Sequence, residues 1–381
     1  MTSDSMGTQT LIAGMFLTGC ANSLLTKYQD KLCVENCEGQ GPRQDFEQPV
    51  WQTLNMFVGE FLCIIPLLWG RFTKQPKIAL PEDELPIPVE AAGERVPLRG
   101  WACFWLWFPA FFDICGTTLM NVGLILTPVS VYQMSRGALV LWVGVLSVIF
   151  LKRHLALYQW ASLVIVTLGV ALVGLAGTLA KKGGVTPEAL LDVISSTRAD
   201  DEPAKVALGV ILILFAQIFT ASQYVVEEKI MAHYNVDALA AVSLEGTFGG
   251  LTTAAAMPIL HYFFAAKNAY FDVPRGWAQI VNNPAVMWAS FMIALSIGAF
   301  NFFGLSVTSR VSATTRSTID TCRTLGIWIV SVAIGWEHIT VYSILQVAGF
   351  AMLVYGTFVF NGLLQPVLCK PRIELEEEEE A

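Results

Sequence analysis

The sequence predicts an all-α polytopic membrane protein whose ten transmembrane helices form two inverted five-helix repeats. Three observations carry this. Hydrophobic residues make up 54% of the 381 and charged residues only 14%, against roughly 25% charged in a soluble domain. The charges are clustered, so long stretches carry none. And residues of the first half recur at matching places in the second.

Apolar segments lie near 8–27, 49–70, 101–122, 128–150, 157–179, 205–228, 238–264, 285–307, 311–335 and 340–364. A run of about 20 apolar residues crosses a bilayer as a helix, and helices satisfy their own backbone polar groups there. Pro128 breaks the chain between the third and fourth segments at "LTPVS". The eighth and ninth meet near "VTSRVS", Val307–Ser312. The first segment has no basic region before it, so it reads as a retained span rather than a cleaved signal peptide.

Three polar stretches, 28–48, 71–100 and 180–204, read as loops. The units expected are a first repeat over 1–179, a connecting loop over 180–204, a second repeat over 205–364 and an acidic cytosolic tail over 365–381. Net charge is −8, and six acids, Glu374 and Glu376 through Glu380, sit in that tail, which reads as a solvated segment. With no basic stripe, nucleic acid is excluded as a partner. Cys20, Cys63, Cys103, Cys115 and Cys322 fall in apolar segments and act as small hydrophobes. Cys33 and Cys37 share the 28–48 loop, either as a lumenal disulfide or as two free thiols. Cys369 follows the last segment beside Lys370, a weak palmitoylation signal.

With both termini in the cytosol, Lys and Arg divide eleven inside against nine outside. Setting aside the 180–204 connection and its flanking Lys205 leaves eleven against five. Both termini are therefore expected inside. "GLILT" at Gly123–Thr127 matches "GLSVT" at Gly304–Thr308, and His154 and Tyr158 match His338 and Tyr342. The offsets are 181 and 184, reconciled by a small indel. Five is odd, so a repeated five-helix unit enters the membrane in the opposite sense the second time. Inverted repeats are common in secondary transporters.

"SVYQMSRGALVLWVGVLSVIFLKRHLALYQW", Ser130–Trp160, resembles the fourth and fifth spans of the drug/metabolite transporter superfamily. "GAFNFFGLSVTSRVSATTRSTIDTCRTLGIWIVSVAIGWE", Gly298–Glu337, is similar to the second-half counterpart in the nucleotide-sugar-transporter-like solute carrier family 35, F branch. The likeness runs from the first span to about Leu364 and leaves out the tail and the 71–100 loop. It implies a ten-helix carrier with a central cavity opened alternately to each side. A nucleotide sugar or related nucleotide is the cargo it implies; the more distant malarial chloroquine-resistance transporter handles cationic solutes.

A charge at the bilayer centre is costly, so intramembrane polar residues face the bundle interior. The candidates for substrate binding are Glu60, Asp113, Asn121, Gln133, Arg136, Gln217, Glu245, Asn301, Arg316 and Asp320. Asp113, Thr117 and Asn121 form one helical stripe, as do Ser312, Arg316, Asp320 and Arg323. Gln217, Thr220 and Tyr224 fall on one side leading towards Glu227. Two readings of these charges stand: cavity lining, or structural pairing such as Arg316 or Arg323 with Asp320, and Asp113 with Arg136. Gly59, Gly304 and Gly349 read as close-packing positions.

No catalytic constellation or metal motif is visible, and the four histidines lie at or near span ends, so no enzyme, cofactor or metal site is expected. The expected partners are a small-molecule substrate and the lipid bilayer. Oligomeric state is unreadable. Unpaired arginines would suit phosphate or carboxylate; a buried acid such as Glu60 or Asp113 would suit proton coupling. The function classes are then a secondary carrier of a small polar solute, a proton-coupled exporter of cationic or peptide-like solutes from an acidic organelle, or a membrane adaptor acting through its tail. No mitochondrial or retention signal is present, leaving the Golgi, endoplasmic reticulum and lysosome or vacuole.

Overall fold

In the computed structural model, the described residues are 3–37, 43–72, 96–126, 138–181, 202–266, 269–336, 343–360, 362 and 364. They are mostly helical. The helices are α1 (Ser3–Asp30), α2 (Pro49–Leu62), α3 (Ile64–Phe72), α4 (Trp107–Leu126), α5 (Ala138–Leu151), α6 (Leu157–Lys181), α7 (Glu202–His233), α8 (Ala238–Phe264), α9 (Val273–Asn282), α10 (Pro284–Arg310), α11 (Ala313–Ala333) and α12 (Ser343–Phe360).

Local sequence sets several starts. Asp237, Asp272, Asn283 and Ser312 precede α8, α9, α10 and α11, and each side chain accepts a first-turn backbone N–H. That cap meets donors the helix itself leaves unpaired. Pro residues occupy the first turns of α2, α9 and α10, where their missing N–H costs nothing.

Five helical stretches among the described residues are long and apolar enough to cross a membrane: Pro49–Trp69, Gly100–Met120, Leu208–His233, Pro284–Arg310 and Ser343–Phe360. Leu139–Leu151 and Leu157–Leu172 are shorter apolar helices. α11 carries Arg316, Asp320 and Arg323, which takes it out of a purely apolar criterion. Leu17, Ile65, Leu168, Leu251 and Ile344 are more than half exposed, while Glu60, Glu227, Glu245 and Arg316 are buried. An apolar exterior around a polar interior is what lipid as solvent favours.

The structure departs from the sequence reading in four places. The second apolar segment is two helices, interrupted at Cys63. The third opens with a 3-10 turn over Gly100–Leu106. The 28–48 stretch is more than a loop: β1 (Cys33–Glu35) pairs antiparallel with β2 (Gln44–Asp45). And α9 was not anticipated, because its ten residues, with Gly276 and Gln279 buried and Trp277 exposed, are too short and too polar for a span.

The helices meet at two ends. At one, the β1–β2 hairpin docks on α9: Arg275 donates to Glu35 Oε1 and Oε2 at 3.0 and 2.9 Å. Asn283 Nδ2 donates to the Cys33 carbonyl at 3.1 Å, and Lys31 Nζ lies 4.7 Å from the centre of the Trp336 ring. Cys33 and Cys37 are joined by a disulfide. At the opposite end β3 (Val96–Pro97) pairs with β4 (Tyr234–Asn235), and Arg153 reaches Glu228. α1 packs on α10 and α11, α4 on α7 and α8, α2 on α8 and α10, α5 on α7 and α11, and α6 on α12.

Candidate functional site

The interior polar groups converge where α2, α4, α7, α8, α10 and α11 meet. The α2–α10 seam comes first, because it fixes Glu60. A Cβ on Gly59 would lie 2.1 Å from the Ala294 carbonyl oxygen, and one on Gly298 would lie 2.4 Å from the Gly59 oxygen. Two backbones approach this closely only where side chains are absent. One turn beyond Gly298, Asn301 Nδ2 donates to Glu60 Oε1 at 2.5 Å. α8 presses on the other side, where a Cβ at Gly246 would lie 2.6 Å from the Glu60 Cβ, so the neighbouring Glu245 enters the same space.

On α4, Asp113 accepts a hydrogen bond from Thr117 Oγ1 at 3.2 Å, and Gln223 of α7 reaches the same carboxyl. One turn further along α7, Glu227 pairs with Arg316 of α11 through its Oε2. The Arg316 guanidinium lies 4.0 Å from the centre of the Tyr224 ring, a favourable cation–π placement. It is 1% exposed. Gly304 of α10 leaves it room, since a Cβ there would lie 2.8 Å from Arg316 Nε. The Glu227 and Glu245 carboxyls are neighbours. Glu227 Oε1, Glu245 Oε1 and Arg316 Nε are buried without a hydrogen-bond partner.

Of the candidate residues, the structure thus brings Glu60, Asp113, Glu245, Asn301 and Arg316 together. Asp320 stands off to one side, paired with Arg323 at 3.0 Å on its own helix, with the Arg323 guanidinium 4.9 Å from the Phe300 ring centre. Gln217 is buried further along α7 and donates to Met120 Sδ at 3.3 Å. Asn121 lies in α4 but its side chain is outside the described part, and Gln133 and Arg136 lie outside the described residues. So does the Asp113–Arg136 pairing. Gly59 and Gly349 serve close packing, the latter's carbonyl lying 2.7 Å from a Cβ built on Gly169. Gly304 instead accommodates Arg316.

Sequence reasoning left Glu227 out of the candidates, although the Gln217–Thr220–Tyr224 stripe led to it. It missed Glu228 altogether. That residue is 5% exposed and reads in the sequence as a span end. Among the described residues no group of His, Cys, Asp or Glu is arranged to hold a metal ion.

Among the described residues, four carboxyls, Glu60, Asp113, Glu227 and Glu245, therefore share one interior with one guanidinium, that of Arg316. Unpaired carboxylates cannot all remain charged in a low-dielectric interior. The arrangement can take up protons or a cation; its arginine is already committed.

A family model described as the UAA transporter family matches residues 80–363. Solute carrier family 35 member F6 of Homo sapiens is 34% identical over 369 residues, covering 94% of this chain and 90% of that protein. The Mus musculus protein of the same name is 34% identical over 371 residues, with the same coverage. An uncharacterised Schizosaccharomyces pombe protein is 34% identical over 355 residues, 92% of this chain and 96% of its own. A solved crystal structure, described only as that of a protein, superposes with a TM-score of 0.57 at 11% identity, covering 95% of this chain and 99% of its own; it supports the fold alone. The chain belongs to the UAA transporter family and is similar over nearly its whole length to solute carrier family 35 proteins of the F branch: a multi-pass membrane transporter of nucleotide-sugar-transporter-like type, not an enzyme.

Proposed function

We propose that the chain is a secondary carrier that moves a small polar solute by alternating access, through ten crossings built as two inverted five-helix units. The first unit is α1, α2 with α3, α4, α5 and α6. The second is α7, α8, α10, α11 and α12, with α9 lying across the disulfide end. Packing partners support this reading. Exchanging each helix for its counterpart turns the α1–α10 contact into α7–α4, α5–α7 into α11–α1, and α2–α10 into α8–α4, all of which occur. The α2–α8, α5–α11 and α6–α12 contacts map onto themselves. α1 begins at the Arg153 end, with Gly7 beside Arg310, while α7 ends there at β4.

The disulfide end is assigned to the lumen of an endomembrane compartment, because disulfides persist in oxidising compartments. Both termini then face the cytosol. The observation that carries the function is the buried polar cluster assembled from both units. Arg316 is committed to Glu227, so among the described residues the surplus is acidic. This favours a cationic solute exchanged for protons over an anionic nucleotide sugar.

The test is uptake by purified protein in liposomes. The panel holds nucleotide sugars, nucleotides, amino acids and cationic amines, with and without a pH gradient. Saturable uptake of a cation that rises with an opposing proton gradient is expected. Saturable uptake of nucleotide sugars alone would reverse the charge argument while keeping the carrier, and no uptake of any compound would sink the carrier.

A further inference from the structure

The two glutamates that end the polar part of α7 act on the same helix, one residue apart. Glu227 holds Arg316, inside the cluster. Glu228 turns the other way. Its Oε2 accepts the Ala313 backbone N–H at 2.6 Å, and its Oε1 meets Arg153 Nη2 at 2.5 Å. Ala313 is the first residue of α11, so a carboxylate there answers an amide the helix cannot pair and meets the positive end of its dipole. Arg153 is delivered from α5, which ends with Lys152 at φ +53° and the Arg153 N–H bonded back to the Ser147 oxygen. Beneath this junction Ser147 Oγ and Thr314 Oγ1 lie 3.4 Å apart, both fully buried.

From this geometry we propose that Glu228 is the closing residue of the Arg153 end: by joining α5 of the first unit to α11 of the second, it seals one mouth of the transport path. The proposal rests on the carrier reading above. α5 and α11 face each other across the two units, and one carboxylate is shared between them. Opening this end moves α5 away from α7 and α11, which breaks the Arg153–Glu228 contact. Glu228 is a positioning residue, and it does not touch the cargo.

The test measures how fast a small polar thiol reagent labels single cysteines in the full-length protein in liposomes, on a background with its free cysteines replaced by serine or alanine. Ser147→Cys reports the seal. Ser317→Cys, one turn deeper on α11 and fully buried, reports the path. Glu228→Gln removes the charge, and Arg153→Ala removes the more exposed partner with less risk to folding. In each, both thiols should label about tenfold faster than in the parent protein, at unchanged melting temperature. Unchanged labelling in Arg153→Ala, or faster labelling at Ser147→Cys alone, would overturn the proposal; the second result means fraying of the helix end. Should Glu228→Gln fail to fold, Arg153→Ala decides by itself. Labelling needs no cargo, so this outcome stands apart from the uptake assay.

Discussion

Arg316 of α11 is paired with Glu227 of α7, not with Asp320 four residues along its own helix. The pair ties two helices of the second proposed unit together, and both side chains are essentially inaccessible. Removing one partner of such a pair strands a charge and typically costs about 3–5 kcal/mol. Arg316→Ala should therefore lower the melting temperature of the purified protein markedly. Glu227→Gln combined with Arg316→Gln should recover part of the loss, because neither variant side chain carries a charge to strand. A double variant no more stable than Arg316→Ala would mean that the guanidinium matters through packing on Tyr224.

Gly59 is the tightest point between α2 and α10. A methyl group there would meet the Ala294 backbone at 2.1 Å, and backbone cannot swing aside. Gly59→Ala should open the seam and pull Asn301 from Glu60, costing about 3 kcal/mol or preventing folding. Gly250 is the control, since a Cβ there meets only the Phe57 Cβ at 3.7 Å. Gly250→Ala should be neutral or slightly stabilising in the same thermal unfolding assay.

Much of this interior is legible from residue type and spacing. Asp113 and Thr117, four apart, do form a hydrogen bond, and Glu60 and Glu245, isolated acids in apolar runs, do face inward. Helical spacing places residues on a face but does not say which helix that face meets. So Arg316 and Asp320 read as partners when the true partner lies 89 residues away. Glu228 was invisible for a related reason: its two contacts come from Arg153 and a backbone amide, and neither leaves a periodic trace. The α9 helix escaped because it serves the hairpin and not the lipid.

The disulfide closes a small loop of the hairpin that carries Glu35. In a chain-entropy model, closing a loop of a few residues contributes about 2 kcal/mol. Replacing Cys33 and Cys37 by Ser should raise amide exchange over residues 33–35 and 44–45 at least about tenfold, while exchange in α2 and α10 stays as it was. Unchanged exchange in the hairpin would show that Arg275 and Asn283 hold it unaided.

The Glu35–Arg275 clamp has a pH window that follows from its sign. The Arg275 hydrogen bond, with help from Gln279, holds the Glu35 carboxyl below its ordinary value of 4.5, against a smaller opposing effect of burial. The folded state thus binds the proton less tightly than the unfolded chain does. Such a group contributes stability that is fully present above its unfolded value and is lost as pH falls through its folded one. The clamp should stay closed at mildly acidic pH and weaken only below about pH 4.5. The measurement is the melting-temperature difference between the parent protein and Glu35→Gln across pH 3.5–7. A constant difference down to pH 5 that shrinks below 4.5 is expected. A difference that disappears between pH 7 and 5 would place the sensitive group elsewhere and remove Glu35 from the hold on α9.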